Sequence, residues 1–107
     1  MAILFDLEDK KIYDVYAKVI IGTDEICDII PKGNEEILKT VSGRHAEIFI
    51  EKEDYYLEDL DSENRTKLTR YGKDFSMTEE LDSYRPVELH SGNDIMLGKY
   101  RMKFIEH

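Results

Sequence analysis

Residues 41–66, VSGRHAEIFIEKEDYYLEDLDSENRT, constrain the fold of this chain more than any other stretch. Ser42, Gly43, Arg44 and His45 form a small polar cluster where a hairpin opens, and from His45 to Ile50 polar and apolar residues alternate with the period of a strand. Tyr55 to Leu60 supply a second β-rich run, closed by the turn formers Asp61, Ser62, Glu63 and Asn64. Pairing these two runs brings the polar turn before the first beside the polar turn after the second. Ala46, Ile48 and Ile50 share one face of the first strand and Glu47, Phe49 and Glu51 the other, the pattern of a half-buried strand with Phe49 as an outward apolar exception. Ala46, Ile48, Ile50, Leu57 and Leu60 are therefore the expected core of this hairpin.

The rest of the chain repeats the theme of short β-prone runs between turn clusters, with little sustained helical periodicity. Strands are expected over Ile3–Leu7, Tyr13–Ile21, Cys27–Ile30, His45–Ile50, Tyr55–Leu60, Pro86–Leu89, Asp94–Leu97 and Tyr100–Ile105. Pro31-Lys-Gly-Asn, Glu53-Asp, Asp61-Ser-Glu-Asn, Ser91-Gly-Asn and Gly98 mark turns. Residues 74–84, DFSMTEELDSY, read as a loop insertion in which Ser76 and Glu79 have the spacing to cap one helical turn. The expected class is all-β, an antiparallel β-sandwich. At 107 residues and 12.6 kDa, residues 1–107 suffice for one hydrophobic core.

Composition removes several functions. The formal net charge of −9 opposes nucleic-acid binding, which needs a basic face. No run approaches membrane-spanning length, and the N-terminus MAILFDLEDKK is acidic where a cationic leader is expected, so a cytoplasmic setting is the expectation. The single cysteine, Cys27, reads as a small buried hydrophobe. His45, His90 and His107 show no metal-ligand spacing, and no cofactor motif is present. Ser42, His45 and Asp59 contain the letters of a hydrolase triad, yet no Gly-x-Ser-x-Gly elbow exists and no oxyanion hole is evident, so catalysis is not expected.

Three motifs in order resemble the forkhead-associated (FHA) domain. That family carries a Gly-Arg pair, then Ser-x-x-His-Ala, then Asp-Leu-x-Ser-x-Asn-Gly-Thr, along a β-sandwich that binds phosphothreonine. Here Gly22-Thr23 stands at the first motif, Ser42-Gly-Arg-His-Ala46 matches the second, and Asp59-Leu-Asp-Ser-Glu-Asn-Arg-Thr66 matches the third apart from Arg65. The resemblance implies an FHA-type sandwich that recognises a protein or a phosphothreonine peptide. Thr23, Ser42, Gly43, Arg44, Glu63, Asn64 and Arg65 are its candidate ligand residues, while Gly22, His45 and Thr66 have structural roles.

Two departures matter. Thr23 offers a neutral hydroxyl where the family has a forked, permanently charged guanidinium. Losing one charge-assisted hydrogen bond costs about 1.5–3 kcal/mol. Arg65 replaces a glycine that usually permits positive φ, so either the turn is reshaped or the arginine tolerates strain, and one reason would be that Arg65 returns a positive charge to the rim. Counting residues 23–25, 32–44, 61–67 and 70–74 as that rim gives zero net charge on an acidic body. Two readings stay open, phosphothreonine recognition weakened by Thr23 and phosphorylation-independent docking of a partner. Self-association through an exposed sheet face around Phe49 is a third.

Overall fold

The computed structural model describes all 107 residues, Met1 to His107. Ten strands and one helical turn follow one another as β1 (Ala2–Asp6), β2 (Ile12–Val15), β3 (Val19–Ile21), α1 (Glu35–Leu38), β4 (Ala46–Glu51), β5 (Asp54–Asp59), β6 (Thr66–Tyr71), β7 (Ser76–Glu80), β8 (Val87–Leu89), β9 (Asp94–Leu97) and β10 (Tyr100–Glu106). They form a six-stranded sheet in the order β2-β1-β10-β9-β6-β7 and a four-stranded sheet in the order β3-β4-β5-β8, with every pairing antiparallel. The inward residues of both sheets, among them Leu4, Ile48, Leu57, Leu68, Ile95, Leu97, Met102 and Phe104, are fully buried. This is the expected β-sandwich.

The β4–β5 hairpin has the expected register, with Ala46 opposite Asp59 and Ile48 opposite Leu57. That register sets the start of β4 beside the end of β5, so the residues before His45 and after Asp59 meet at one end of the sandwich. Ala46, Ile48 and Leu57 are buried as expected, but Leu60 is half-buried and Ile50 is 38% exposed. Ile50 pairs with Tyr55, one pair before the Glu51–Asp54 pair that closes the hairpin, so it lies near the turn end of β4.

Four other expectations change. The run Tyr13–Ile21 breaks at Tyr16-Ala17-Lys18, because β2 belongs to one sheet and β3 to the other. Cys27–Ile30 is not a strand; Ile29 makes one isolated parallel bridge to Ile21. Residues 35–38 form a helical turn, capped by Asn34, whose Oδ1 accepts from Glu36 N at 2.8 Å, with Glu35 and Glu36 in the first turn. Residues 76–80 are a strand rather than a capped helical turn. Thr69 Oγ1 meets Thr78 Oγ1 at 2.8 Å across β6–β7, and Gly72 N donates to Phe75 O at 2.7 Å to close the tight turn. Pairing with β6, itself not expected as a strand, outweighs the local helical signal of Ser76 and Glu79.

Candidate functional site

One rim of the sandwich gathers three loops. Residues 22–28 follow β3, residues 40–45 precede β4, and residues 60–65 join β5 to β6. The first two are joined by backbone. Thr23 N donates to Ser42 O at 3.1 Å, Asp24 N to Gly43 O at 2.9 Å, and the buried Cys27 Sγ also reaches Gly43 O at 3.0 Å. Glycine is required at position 22, since a Cβ there would lie 2.1 Å from Gly43 O.

His45 ties the second loop to the third from below. Its ring is fully buried; Ser42 N donates to Nδ1 at 3.0 Å, so Nε2 carries the proton and donates to Arg65 O at 2.8 Å. Burial holds the imidazole below the ordinary histidine range, against the upward pull of the Arg65 carbonyl. His45 is therefore neutral and fixed in one tautomer at physiological pH, and it bonds only to backbone.

Beside it Asp59, also fully buried, organises the third loop. Its carboxylate accepts from Ser62 Oγ at 2.5 Å, Ser62 N at 3.1 Å and Thr66 Oγ1 at 2.6 Å, with Arg65 Nη1 at 3.4 Å. Burial pushes its proton affinity up, but the bonds from Ser62 and Thr66, with the Arg65 charge, outweigh it and hold the carboxyl below the usual range. Arg65 has φ +66, the left-handed conformation that favours glycine. The turn keeps its shape and the arginine bears the strain. Its guanidinium turns under the rim, donating to Leu81 O at 2.7 Å, Ser83 Oγ at 3.0 Å and Ser62 O at 3.3 Å.

Above this buried layer, Thr23, Gly43, Arg44, Glu63 and Asn64 are exposed and Ser42 is half-buried. Ser42 Oγ accepts from Glu63 N at 3.1 Å, which leaves the hydroxyl proton available to a ligand. Asn64 Nδ2 donates to Thr40 O at 3.1 Å, fixing the amide at the rim with its carbonyl oxygen unused. Arg44 lines a concavity of about 190 Å³ with Leu60 and Tyr84, and its guanidinium has no partner in the chain. Thr23 has only its backbone engaged.

Residues 70–74 are not at this rim. They form the tip of the β6–β7 hairpin at the opposite end, where Tyr71 bonds Asp94 and Arg70 pairs with Glu79 and reaches Glu88 O. Without them the rim charge is −1 rather than zero. The largest concavity, about 500 Å³, lies elsewhere, at the open edge among Ile12, Tyr13, Tyr16 and Val19, and meets the rim loops only at Asp28. Three supporting residues escaped the sequence. Thr40, Leu81 and Ser83 act on the rim chiefly through carbonyls or one hydroxyl, from positions 16 to 24 residues away from their partners, with no motif to announce them.

Comparison with known proteins gives this arrangement a family. The FHA-domain sequence profile matches residues 19–98, and the chain belongs to the FHA-domain family, whose members are recognition modules rather than catalysts. No curated protein sequence matches the chain. Among solved structures it is similar to Mycobacterium tuberculosis EmbR in complex with a low-affinity phosphopeptide, at 25% identity and TM-score 0.75, covering 97% of this chain and 24% of EmbR. It also resembles the N-terminal FHA domain of S. cerevisiae Rad53p in complex with a phosphothreonine peptide, at 17% identity and TM-score 0.78, covering 99% and 93%. An FHA domain from Chlamydia trachomatis aligns at 18% identity and TM-score 0.76, covering 99% and 97%.

Proposed function

We propose that this chain recognises phosphothreonine peptides at the rim formed by Thr23, Ser42, Gly43, Arg44 and Asn64, and acts by binding rather than by chemistry. The observation that carries this reading is the state of Ser42. Its hydroxyl is positioned by the Glu63 amide and its amide by His45, so the side chain faces the rim with a proton to give. Gly43 leaves room for a four-oxygen anion, Asn64 has an amide oxygen for a peptide N–H, and Arg44 is the unpaired guanidinium nearest the serine in sequence.

Docking that does not depend on phosphate has one specific observation in its favour. Position 23 lacks a guanidinium, and Arg65 is bound beneath the rim by Leu81, Ser83 and Asp59, so neither supplies the charge that a phosphate attracts. Titration of matched phosphorylated and unphosphorylated threonine peptides separates the two. A preference of at least about tenfold for the phosphorylated peptide, abolished by Ser42→Ala, is expected. Equal affinity for both peptides would show that the rim docks partners without reading phosphate.

A further inference from the structure

The rim accounts for little of the net charge of −9, and five of the chain's 24 carboxylates share the outward face of the four-stranded sheet. Alternation along β4 and β5 turns Glu47, Phe49 and Glu51 outward on one strand and Asp54, Tyr56 and Glu58 on the next, and β8 adds Glu88 beside Tyr56. Only Lys18 offsets them, 3.8 Å from Glu47, while His90 approaches Glu88 at 3.7 Å. The register sets Glu47 directly opposite Glu58 and Glu51 opposite Asp54, like charges at the positions where a sheet normally places opposite ones. Between those acidic pairs Phe49 and Tyr56 stack, with ring centroids 5.4 Å apart and planes 18° from parallel.

A fold that needs only a solvated outer face has no use for repulsion between neighbouring strands. Lysine at either strand would relieve it. The repulsion falls when cations arrive from outside, and the aromatic strip between the acidic pairs gives such cations an apolar surface and ring faces to lie against. We propose that this face is a second docking surface, separate from the rim, and that its occupant is an extended arginine- or lysine-rich segment of a partner protein. Charge decides the occupant. A nucleic acid or an anionic bilayer would be repelled, and a symmetric pair of this chain would set five carboxylates against five more.

The probe is a peptide of about twelve residues alternating arginine and threonine, so that strand periodicity puts every arginine on one side; its glutamate counterpart is the control. Amide NMR shifts on adding the arginine peptide are expected at Glu47, Phe49, Tyr56 and Glu58, and not at Ser42 or Asn64. Glu47→Gln with Glu58→Gln should weaken binding about fivefold or more, whereas Glu35→Gln with Glu36→Gln, an equal change of net charge on α1, should leave it unaltered. The first pair should also raise the melting temperature of the free protein by a few degrees, because it removes a like-charge pair. Shifts scattered over the surface or centred on the rim, equal weakening by both pairs, or a lower melting temperature for the first would overturn the proposal. So would self-association of the free protein through this face, seen by light scattering.

Discussion

The rim is built in two layers that differ in kind. The lower layer, made of His45, Asp59, Thr66 and the inward-turned Arg65, is buried or half-buried and its polar groups are hydrogen-bonded within the chain. The upper layer of Thr23, Gly43, Arg44, Glu63 and Asn64 is exposed and keeps unused donors and acceptors. The motif letters shared with other FHA domains are therefore of two sorts. Those in the lower layer hold the loops in place, and those in the upper layer face solvent with groups left for a ligand. Arg65 shows the distinction from the other side, since its departure lies in the lower layer and the structure answers it with the Leu81–Ser83 segment.

The difference can be broken most severely at Asp59. Replacing it by alanine leaves Ser62 Oγ, Thr66 Oγ1 and the Arg65 charge without their shared acceptor, and should cost about 3 kcal/mol or more in chemical denaturation. A loss below about 1 kcal/mol would mean that the carboxylate is dispensable and that the lower layer is not a brace. His45→Ala comes next, at about 2 kcal/mol, since it frees the Ser42 amide and the Arg65 carbonyl together. Binding should fall with the melting temperature. Lost binding with an unchanged melting temperature would make His45 a ligand residue.

The same histidine gives the layer a pH signature. Its folded proton affinity is depressed, so the unfolded chain binds the proton more readily as pH drops below about 6.5. Stability contributed by neutral His45 is complete above that pH and is lost as pH falls toward the lower folded value. Asp59, depressed as well, adds a second loss below about pH 4, where the unfolded carboxyl takes up its proton first. His45→Gln should flatten the first decline in a series of melts and leave the second. An unaltered first decline would place its origin in another group.

Arg65 allows a finer separation, because strain and hydrogen bonding act on it with opposite signs. Both Arg65→Ala and Arg65→Gly delete the guanidinium, but only glycine relieves φ +66. Glycine should therefore be the more stable of the two by about 1 kcal/mol. Equal stabilities would mean that the loop relaxes to another conformation once the guanidinium lets go of Leu81 and Ser83.

How much of this was legible in the sequence depended on the range of the interaction. The β4–β5 hairpin and its polar ends were readable because alternation and turn residues are local signals. The β6–β7 hairpin was not, since Ser76–Glu80 is a strand only by virtue of the partner that Thr69 and Tyr71 provide. The resemblance counted Arg70 and Lys73 with the rim, and the β6–β7 pairing carries them to the opposite end. Asn34 with Glu35 and Glu36 was a readable helix start, and its proximity to Pro31 and Gly33 made it look like a plain turn. At the rim the identities of Ser42, His45 and Asn64 were visible, but the direction of Arg65 depends on Leu81 and Ser83, which no spacing in residues 59–66 could reveal.

The smallest effect on stability belongs to the upper layer, at Thr23. Its side chain is exposed, and only its amide is engaged, by Ser42 O. Thr23→Arg should thus leave stability within about 0.5 kcal/mol of the original, the range of an ordinary surface change. Affinity should respond far more. A phosphothreonine carries about −1.5 to −2 charges at neutral pH, and a guanidinium placed over it adds a charge-assisted bond that the threonine cannot make. A gain of tenfold or more is expected in calorimetric titration with a phosphothreonine peptide, on about 1.5–3 kcal/mol for such a bond. Adding Ser42→Ala should remove the gain, because the phosphate then loses the hydroxyl that sets it under the new arginine. If Thr23→Arg binds the unphosphorylated peptide as well as the phosphorylated one, the upper layer does not read phosphate, and the two layers differ only in burial.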